Sequence, residues 1–293
     1  MKKKKSDFVS SGVRCDGDLY LPEGVTNPPV VIMAHGMAAQ KDFRLPAFAE
    51  RFVAKGMAAF LFDYRTFGKS DGTPRQIVDP FRHVQDWKAA IAHVRGLPEV
   101  DRSRIALWGS SFSGGHVITC AAADHDIAAV VSQVPFVSGW SSIPLKPLSE
   151  VLLCTIYGLY DIARSVIGLS PHYSTVVAQP GTFAAMNTEE SYPGYIAIAS
   201  EGVGWENKMT SRGFIGASLY NPAGKAGKVE APTLVLAGRN DSLIPVDAVR
   251  KMAERLPRGE LVIMDCNHFE AYSGDLFEQF VSRESDFLET HLK

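Results

Sequence analysis

The stretch GSSFSGG at residues 109–115 decides the fold of this chain. It follows the apolar run IALW at 105–108 and leads into VITCAAA at 117–123, which predicts a buried strand, a very tight turn and a helix start. A serine at the tip of such a turn is held in a strained backbone, with its hydroxyl exposed above the sheet. The helix that follows directs free N–H groups and its positive dipole end at the same point. The stretch therefore predicts a nucleophile.

Two serines of this turn fit the position of the nucleophile. Counting from Gly109 at the end of the strand gives Ser111, and Ser113 then replaces the glycine that is usual two residues later. Shifting the pattern by two residues gives Ser113 instead. We favour Ser111, because the turn then follows the strand directly and Gly114 and Gly115 allow the helix to pack closely on it.

A base and an orienting acid follow two later strands. The run PTLVLAG at 232–238 predicts a buried strand with Asp241 in the loop after it, and ELVIMDC at 260–266 predicts another strand, followed by His268. The carboxyl ends of strands in an open parallel sheet face one crevice, so Ser111, Asp241 and His268 are expected to meet there. An imidazole accepts the serine proton near neutral pH, and a buried carboxylate fixes its tautomer.

Other acids and histidines fit these roles less well. Asp265 is the alternative acid, but it lies at a strand end only three residues before His268, and Asp241 itself also suits a turn or a helix N-cap before the helix predicted at 246–256. We interpret His83 and His93, which lie on one predicted helix, as structural. His116 lies inside the helix after the serine turn, and three further histidines follow no predicted strand end: His125, His172 and His291.

The run PVVIMA at 29–34 predicts a third strand, and it ends at His35-Gly36-Met37. The backbone N–H of Met37 can pair with that of Phe112, the residue after the nucleophile, to bind an oxyanion. Only position decides this assignment, because a backbone donor does not depend on its side chain. We interpret His35 as a scaffold residue.

Together these pieces resemble the α/β-hydrolase-fold serine hydrolases. The resemblance covers nearly the whole chain and is carried by HGM at 35–37, DYRTFGKSDG at 63–72, the serine turn, GRND at 238–241 and NHF at 267–269. Within that superfamily the chain is similar to the dienelactone-hydrolase-like and acetyl-xylan-esterase-like branch, which includes polyketide-transferase-type members.

The resemblance implies an activity and a site. The activity is cleavage of carboxylic esters or thioesters through an acyl-enzyme, with Ser111, His268 and Asp241 as the triad and no metal or organic cofactor. The expected partner is a small-molecule acyl substrate. The alternative is an acyltransferase that uses the same triad to pass the acyl group to an alcohol or amine.

The rest of the pattern predicts an α/β fold with a mostly parallel eight-stranded sheet and helices on both faces. Residues 1–134 and 232–293 form the predicted core, which opens with a hairpin of strands 8–10 and 13–21. Residues 135–231 interrupt the alternation and are predicted to form a cap over the catalytic edge, with a helix at 148–167. We expect most aromatic residues of this segment to pack within it.

Composition excludes several functions. The 293 residues carry a net charge of −2 without a basic stripe, so nucleic acid is not an expected partner. No apolar run approaches membrane-spanning length, and the basic stretch MKKKK at 1–5 is expected to be a solvated tail. Four scattered cysteines fit a reducing cytoplasm, and the apolar cap allows a homodimer. Three charged residues near the catalytic edge are expected to form structural ion pairs: Lys41, Asp63 and Arg65.

Overall fold

The computed structural model describes residues 1–199 and 204–293. The strands of these residues are, in chain order, β1 (Lys2–Lys5), β2 (Phe8–Ser10), β3 (Val13–Cys15), β4 (Gly17–Leu21), β5 (Val30–Ala34), β6 (Ala58–Phe62), β7 (Ile105–Ser110), β8 (Ala129–Gln133), β9 (Tyr173–Ser174), β10 (Met209–Thr210), β11 (Thr233–Gly238) and β12 (Gly259–Met264). Eight of them form one sheet in the order β1-β4-β6-β5-β7-β8-β11-β12. The six neighbouring strands β6, β5, β7, β8, β11 and β12 are parallel. Strand β4 pairs antiparallel with both β6 and the edge strand β1.

Helices cover both faces of this sheet. Those of the described residues are α1 (Leu45–Ala54), α2 (Pro80–Arg95), α3 (Phe112–Ala121), α4 (Gly139–Ser142), α5 (Leu148–Val166), α6 (Ser191–Ile198), α7 (Gly213–Leu219), α8 (Val246–Ala253) and α9 (Gly274–Leu292). Helices α1 and α9 contact each other on one face, and α2 and α3 contact each other on the other. The predicted α/β class and mostly parallel eight-stranded sheet are confirmed.

The central strands are apolar because parallel strands are covered on both faces. Every residue of β5, β6, β7, β8 and β11 is buried. One face of α1 packs on this core, since Leu45, Phe48 and Phe52 are buried. This packing holds the strand ends, where the predicted site residues lie, in fixed relative positions.

The start of the chain differs from the prediction. Lys2–Lys5 is an edge strand that pairs with β4, so the expectation of a solvated tail is wrong. The predicted strand 13–21 is divided between β3, which pairs with β2, and β4, which joins the main sheet. The lysines are tolerated because an edge strand leaves one side in solvent, and Lys5 lies 2.6 Å from an Asp16 oxygen.

The three charged residues singled out near the catalytic edge do form structural ion pairs. The buried Lys41 ammonium lies 2.5 Å from Asp16 and 3.1 Å from Asp18, and Arg65 lies 2.5 Å from Asp86. Asp63 accepts the backbone N–H of Lys41 at 2.7 Å. Burial raises the pKa of Asp63 to about 6, although the nearby Lys41 charge opposes the rise. These ion pairs join the loop after β5 to the start of β4, and the loop after β6 to α2.

Residues 135–231, apart from 200–203, form a separate group of short elements between β8 and β11. Helix α5 packs on α7. Asp161 on α5 is fully buried and accepts two hydrogen bonds from the Arg212 guanidinium, at 2.7 and 3.0 Å. Asp161 also accepts the backbone N–H groups of Arg212 and His172, at 2.9 and 2.8 Å. The Asp161 carboxylate therefore joins α5 to the chain at His172 and to the residue that precedes α7.

Within the described ranges, no helix combines the length and apolar character needed to cross a membrane. All four cysteines are free thiols, and Cys15, Cys120 and Cys266 are buried. Cys120 and Cys266 pack within the apolar core.

Candidate active site

Ser111 lies in the turn between β7 and α3. Its φ of 56° and ψ of −119° place it in a conformation that residues with a side chain rarely adopt. Hydrogen bonds hold this turn, since Ser111 N–H donates to the Gln133 carbonyl at 2.9 Å and Phe136 N–H donates to the Ser111 carbonyl at 2.8 Å. A side chain at Gly36 would come within 2.9 Å of the Ser111 Cβ. The neighbouring loop therefore approaches the serine as closely as a glycine allows.

The structure brings Ser111, His268 and Asp241 together. The Ser111 Oγ lies 3.0 Å from His268 Nε2, and His268 Nδ1 lies 2.7 Å from Asp241 Oδ2. A carboxylate only accepts hydrogen bonds, so Nδ1 carries a proton and Nε2 of the neutral ring is free to accept the serine proton. The His268 and Asp241 side chains are both 2% exposed. This geometry can activate a hydroxyl.

Charge favours a proton on the imidazole of this site. Burial lowers the pKa of His268, but the Asp241 charge and hydrogen bond, with a further contribution from Glu190, outweigh that effect and raise it. The other Asp241 oxygen accepts the backbone N–H groups of Leu243 and Ile244, each at 2.8 Å. Asp241 thus orients the imidazole and also caps its own loop, as the sequence allowed.

The alternative residues lie elsewhere. Ser113 is fully buried, and its hydroxyl lies 2.8 Å from that of Tyr64 and accepts the Trp87 indole N–H at 3.2 Å. It therefore faces the core and not the crevice. Asp265 accepts the side-chain amide of Asn240 at 3.0 Å in an exposed position.

The two predicted oxyanion donors lie beside Ser111. The hydrogen bonds of α3 begin where Gly115 N–H donates to the Ser111 carbonyl at 3.4 Å. Phe112 N–H comes before that point in the helix, so it has no acceptor within α3. The peptide that carries Met37 N–H is oriented by His35, whose Nδ1 donates to the Gly36 carbonyl at 2.9 Å. Burial lowers the pKa of His35 to about 3, so the ring is neutral and structural.

Two aromatic side chains that sequence patterns did not single out for the site hold the same loop from the 135–231 segment. Tyr195 donates its hydroxyl to the Met37 carbonyl at 2.9 Å, and Trp205 donates its indole N–H to the Ala38 carbonyl at 2.9 Å. Ala38 has a φ of 57°, a strained value that these two bonds help to maintain. The segment thus fixes the loop that carries a predicted oxyanion donor.

Glu190 is a further residue of the site that the sequence did not reveal. One of its oxygens accepts the N–H of Ser242 at 2.8 Å as well as the Ser242 hydroxyl, and the other accepts the N–H of His268 at 3.1 Å. Glu190 precedes a helix in a segment without clear periodicity, so no pattern separated it from its neighbour Glu189.

A cavity of about 290 Å³ opens at Ser111 and His268. Its floor includes Met37 and Phe112, and its walls come largely from the 135–231 segment and are mostly apolar. Apolar residues of these walls lie on α5, on α7, in the turn before α5 and in an extended stretch before α6: Ile143, Leu145, Val151, Cys154, Met186, Phe214 and Ile215. In the part of the chain that is described, no three or more His, Cys, Asp or Glu side chains form a group suited to a metal ion.

Comparison with known proteins agrees with this fold. A family model described as serine aminopeptidase, S33, a hydrolase family, matches residues 27–165. Together with the relative AidA described below, the match shows that the chain belongs to the α/β-hydrolase family of serine hydrolases.

Particular relatives extend over almost the whole chain. The quorum-quenching protein AidA of Acinetobacter baumannii is 39% identical over 282 residues, which cover 96% of this chain and 92% of the relative. The polyketide transferase ATR5 of Stachybotrys chlorohalonatus is 27% identical and covers 100% of this chain and 99% of its own. The crystal structure of the α/β hydrolase GrgF from Penicillium has a TM-score of 0.86 at 24% identity, covering 100% and 99% of the two chains, and shows the shared fold.

Proposed function

We propose that this protein cleaves esters or thioesters with an apolar acyl group, with Ser111 as the nucleophile, His268 as the base and Asp241 as the orienting acid. The observation that carries the proposal is the continuous contact from Ser111 Oγ to His268 and on to Asp241, at 3.0 and 2.7 Å, at the floor of an apolar cavity. No metal or organic cofactor takes part in the proposed reaction.

Acylation follows from these contacts. His268 Nε2 takes the Ser111 proton as Ser111 Oγ attacks the substrate carbonyl carbon, and the carbonyl electron pair moves onto oxygen. The N–H groups of Met37 and Phe112 stabilise that oxyanion. Collapse of the intermediate breaks the bond to the alkoxide or thiolate, and the imidazolium protonates this leaving group.

Deacylation repeats the sequence with water. His268 takes a proton from a water molecule as its oxygen attacks the acyl-enzyme carbonyl. The second tetrahedral intermediate then releases the acid and returns the proton to Ser111. Asp241 stabilises the imidazolium in both halves.

The substrate proposal rests on the cavity. Its mostly apolar walls stabilise an acyl chain by about 0.8 kcal/mol for each methylene that they bury. AidA is named for quorum quenching, so we further propose that the natural substrate is a small acylated signalling molecule.

We propose that residues 135–231 act as a cap over the site. We also propose that the protein works in the cytoplasm, in keeping with its four free thiols.

Hydrolysis of matched acyl esters, thioesters and lactones with increasing acyl length tests this proposal. We expect kcat/KM to rise with chain length until the cavity is full, and to be lost in Ser111→Ala. Absence of turnover across all three classes would contradict the proposal.

Acyl transfer is the second candidate function. It is favoured by the likeness to ATR5, a polyketide transferase, and by apolar walls that limit water at the acyl-enzyme. Adding an alcohol or amine acceptor during turnover tests it. A transfer product that forms faster than the free acid would favour the transferase, whereas an unchanged yield of acid would leave hydrolysis as the function.

A further inference from the structure

Helix α5 carries exposed apolar residues on the side that faces away from α7. Its inner side packs on α7 through Gly158, where a side chain would meet Ile215, and through the buried Asp161. Its outer side carries six aliphatic residues that are 54% to 81% exposed: Leu148, Leu152, Ile156, Leu159, Val166 and Ile167. The side of a helix that faces solvent normally carries polar residues, so this apolar outer side indicates a binding partner.

The six residues form one continuous stripe. Each residue turns a helix by about 100°, which places all six within roughly a third of its circumference. The ring of Tyr160, which is 49% exposed, borders the same side. Scattered apolar residues on a surface are ordinary, but a continuous stripe along a helix of 19 residues marks an interaction surface.

We propose that this stripe is the contact surface of a homodimer, in which α5 pairs with α5 of a second copy across a two-fold axis. No charge lies within the stripe, so it is complementary to itself and not to a charged partner. These side chains and that of Tyr160 are each about half to four-fifths exposed, and each contributes roughly 60 Å² of apolar surface. The stripe and Tyr160 then offer on the order of 400 Å², comparable with the apolar share of a standard interface.

A membrane surface fits the stripe less well. Helices that lie on lipid carry Lys and Arg on their polar side. Here Arg164 is held by the Ser170 carbonyl at 2.7 Å, and Lys146 by Glu150 at 3.0 Å and Asn187 at 3.1 Å. Arg164 also donates to the Tyr160 hydroxyl at 3.1 Å, so it is the cation that borders the stripe, and both cations are held by groups of this chain.

Sedimentation of the full chain over a wide range of concentration tests the dimer. We expect a mass of twice 31.9 kDa for the native protein, and at least about tenfold weaker association for Leu152→Glu and for Ile156→Glu. Val9→Glu is the matched control, because Val9 is 65% exposed on β2, outside the stripe.

Three outcomes would overturn this inference. They are a native protein that stays monomeric at every concentration, a Val9→Glu variant that loses as much association as Leu152→Glu, or a monomer that sediments with phosphatidylcholine vesicles. The last result would assign the stripe to lipid.

A second observation concerns Glu190, and this inference rests on the proposed function. The carboxylate lies between the two loops that follow β11 and β12, since it accepts N–H groups from Ser242, beside Asp241, and from His268. We infer that Glu190 is a positioning residue. It fixes the loop that carries Asp241 relative to the loop that carries His268, and its charge favours the protonated imidazole during turnover.

The charges around His268 are few. Asp241 and Glu190 are the carboxylates that act on the ring, and Ser111 is its neutral partner. Glu270 of the same loop instead accepts the N–H of Asn267 at 2.7 Å. Removal of the Glu190 charge is therefore expected to lower the pKa of His268, which moves the acid limb of kcat/KM to lower pH, because activity requires the neutral imidazole.

The test compares Glu190→Gln with Glu189→Gln, which changes the exposed neighbouring carboxylate. We expect kcat to fall about tenfold and the acid limb to shift to lower pH in Glu190→Gln alone, with Ser111 still labelled by a fluorophosphonate. An unchanged acid limb would overturn the inference, whether or not kcat and Tm fall, because only a structural role would remain. Native protein that fails to label would instead contradict the proposed function.

Discussion

The sheet and the inserted segment at 135–231 have different roles, since the sheet positions the reacting side chains and the segment lines the cavity. The sheet places Ser111, Asp241 and His268 at the ends of β7, β11 and β12, strands that are packed on both faces or held by their neighbours. The segment, by contrast, leaves much of the outer side of α5 exposed. Its side chains instead line the cavity and hold the catalytic loops.

This difference separates the reaction from the choice of substrate. Changes at the strand ends are expected to remove catalysis whatever the acyl group. Changes in the segment are expected to alter which acyl groups react, unless they touch residues such as Tyr195 that bond to the loop at Met37.

Ser111→Ala carries the largest expected effect. We expect kcat to fall by at least about 10⁴-fold with Tm nearly unchanged, because the variant removes the nucleophile and leaves the fold intact. Steady-state kinetics on an acyl ester checks this, with Ser113→Ala as the matched control. Loss of turnover in Ser113→Ala alone would reverse the assignment.

Asp241→Asn is expected to be nearly as severe. The amide offers His268 the wrong hydrogen-bond partner, and loss of the orienting carboxylate costs about 10³–10⁴-fold in kcat. The acid limb of the pH profile should also move to lower pH, since Asp241 raises the pKa of His268. Asp265→Asn is the control, and equal loss in both variants would move the acid role away from Asp241.

Asp161→Asn tests how far the segment depends on its own organisation. The variant leaves Arg212 without its ion pair at a fully buried carboxylate, which we expect to cost about 3 kcal/mol of unfolding free energy. Chemical denaturation measures this. The control is Asp247→Asn, whose carboxylate lies 3.9 Å from Arg250 and is 82% exposed. Equal stability of Asp161→Asn and the native protein would contradict this account of the segment.

Val151→Trp carries the smallest expected effect and separates substrate choice from chemistry. The larger side chain fills part of the cavity wall on α5. We expect kcat/KM for long acyl esters to fall about tenfold, close to the loss of two buried methylenes, while acetyl esters react nearly as before. A parallel fall for both substrates would show that the wall also governs the chemistry.

The core was predictable because its signals are local and periodic. The apolar run before Ser111 and the runs before Asp241 and His268 each predict a buried strand, and a parallel sheet brings the ends of such strands to one edge. The same patterns did not predict that Lys2–Lys5 forms an edge strand, because a short run of lysines without alternating apolar residues is typical of a solvated tail.

The segment was predictable in outline only. The periodicity of 148–167 gave helix α5, but no pattern shows which of its sides would remain exposed. Glu190, Tyr195 and Trp205 act through contacts between residues far apart in sequence, so their roles depend on tertiary structure.

Labelling with a fluorophosphonate, mapped by peptide mass spectrometry, tests the central assignment most directly. The probe forms a stable bond only with a serine that a neighbouring base activates. We predict a label on Ser111 in the native protein and in Ser113→Ala, and none in Ser111→Ala. A label on Ser113, or no label on the folded native protein, would contradict the assignment of Ser111 as the nucleophile.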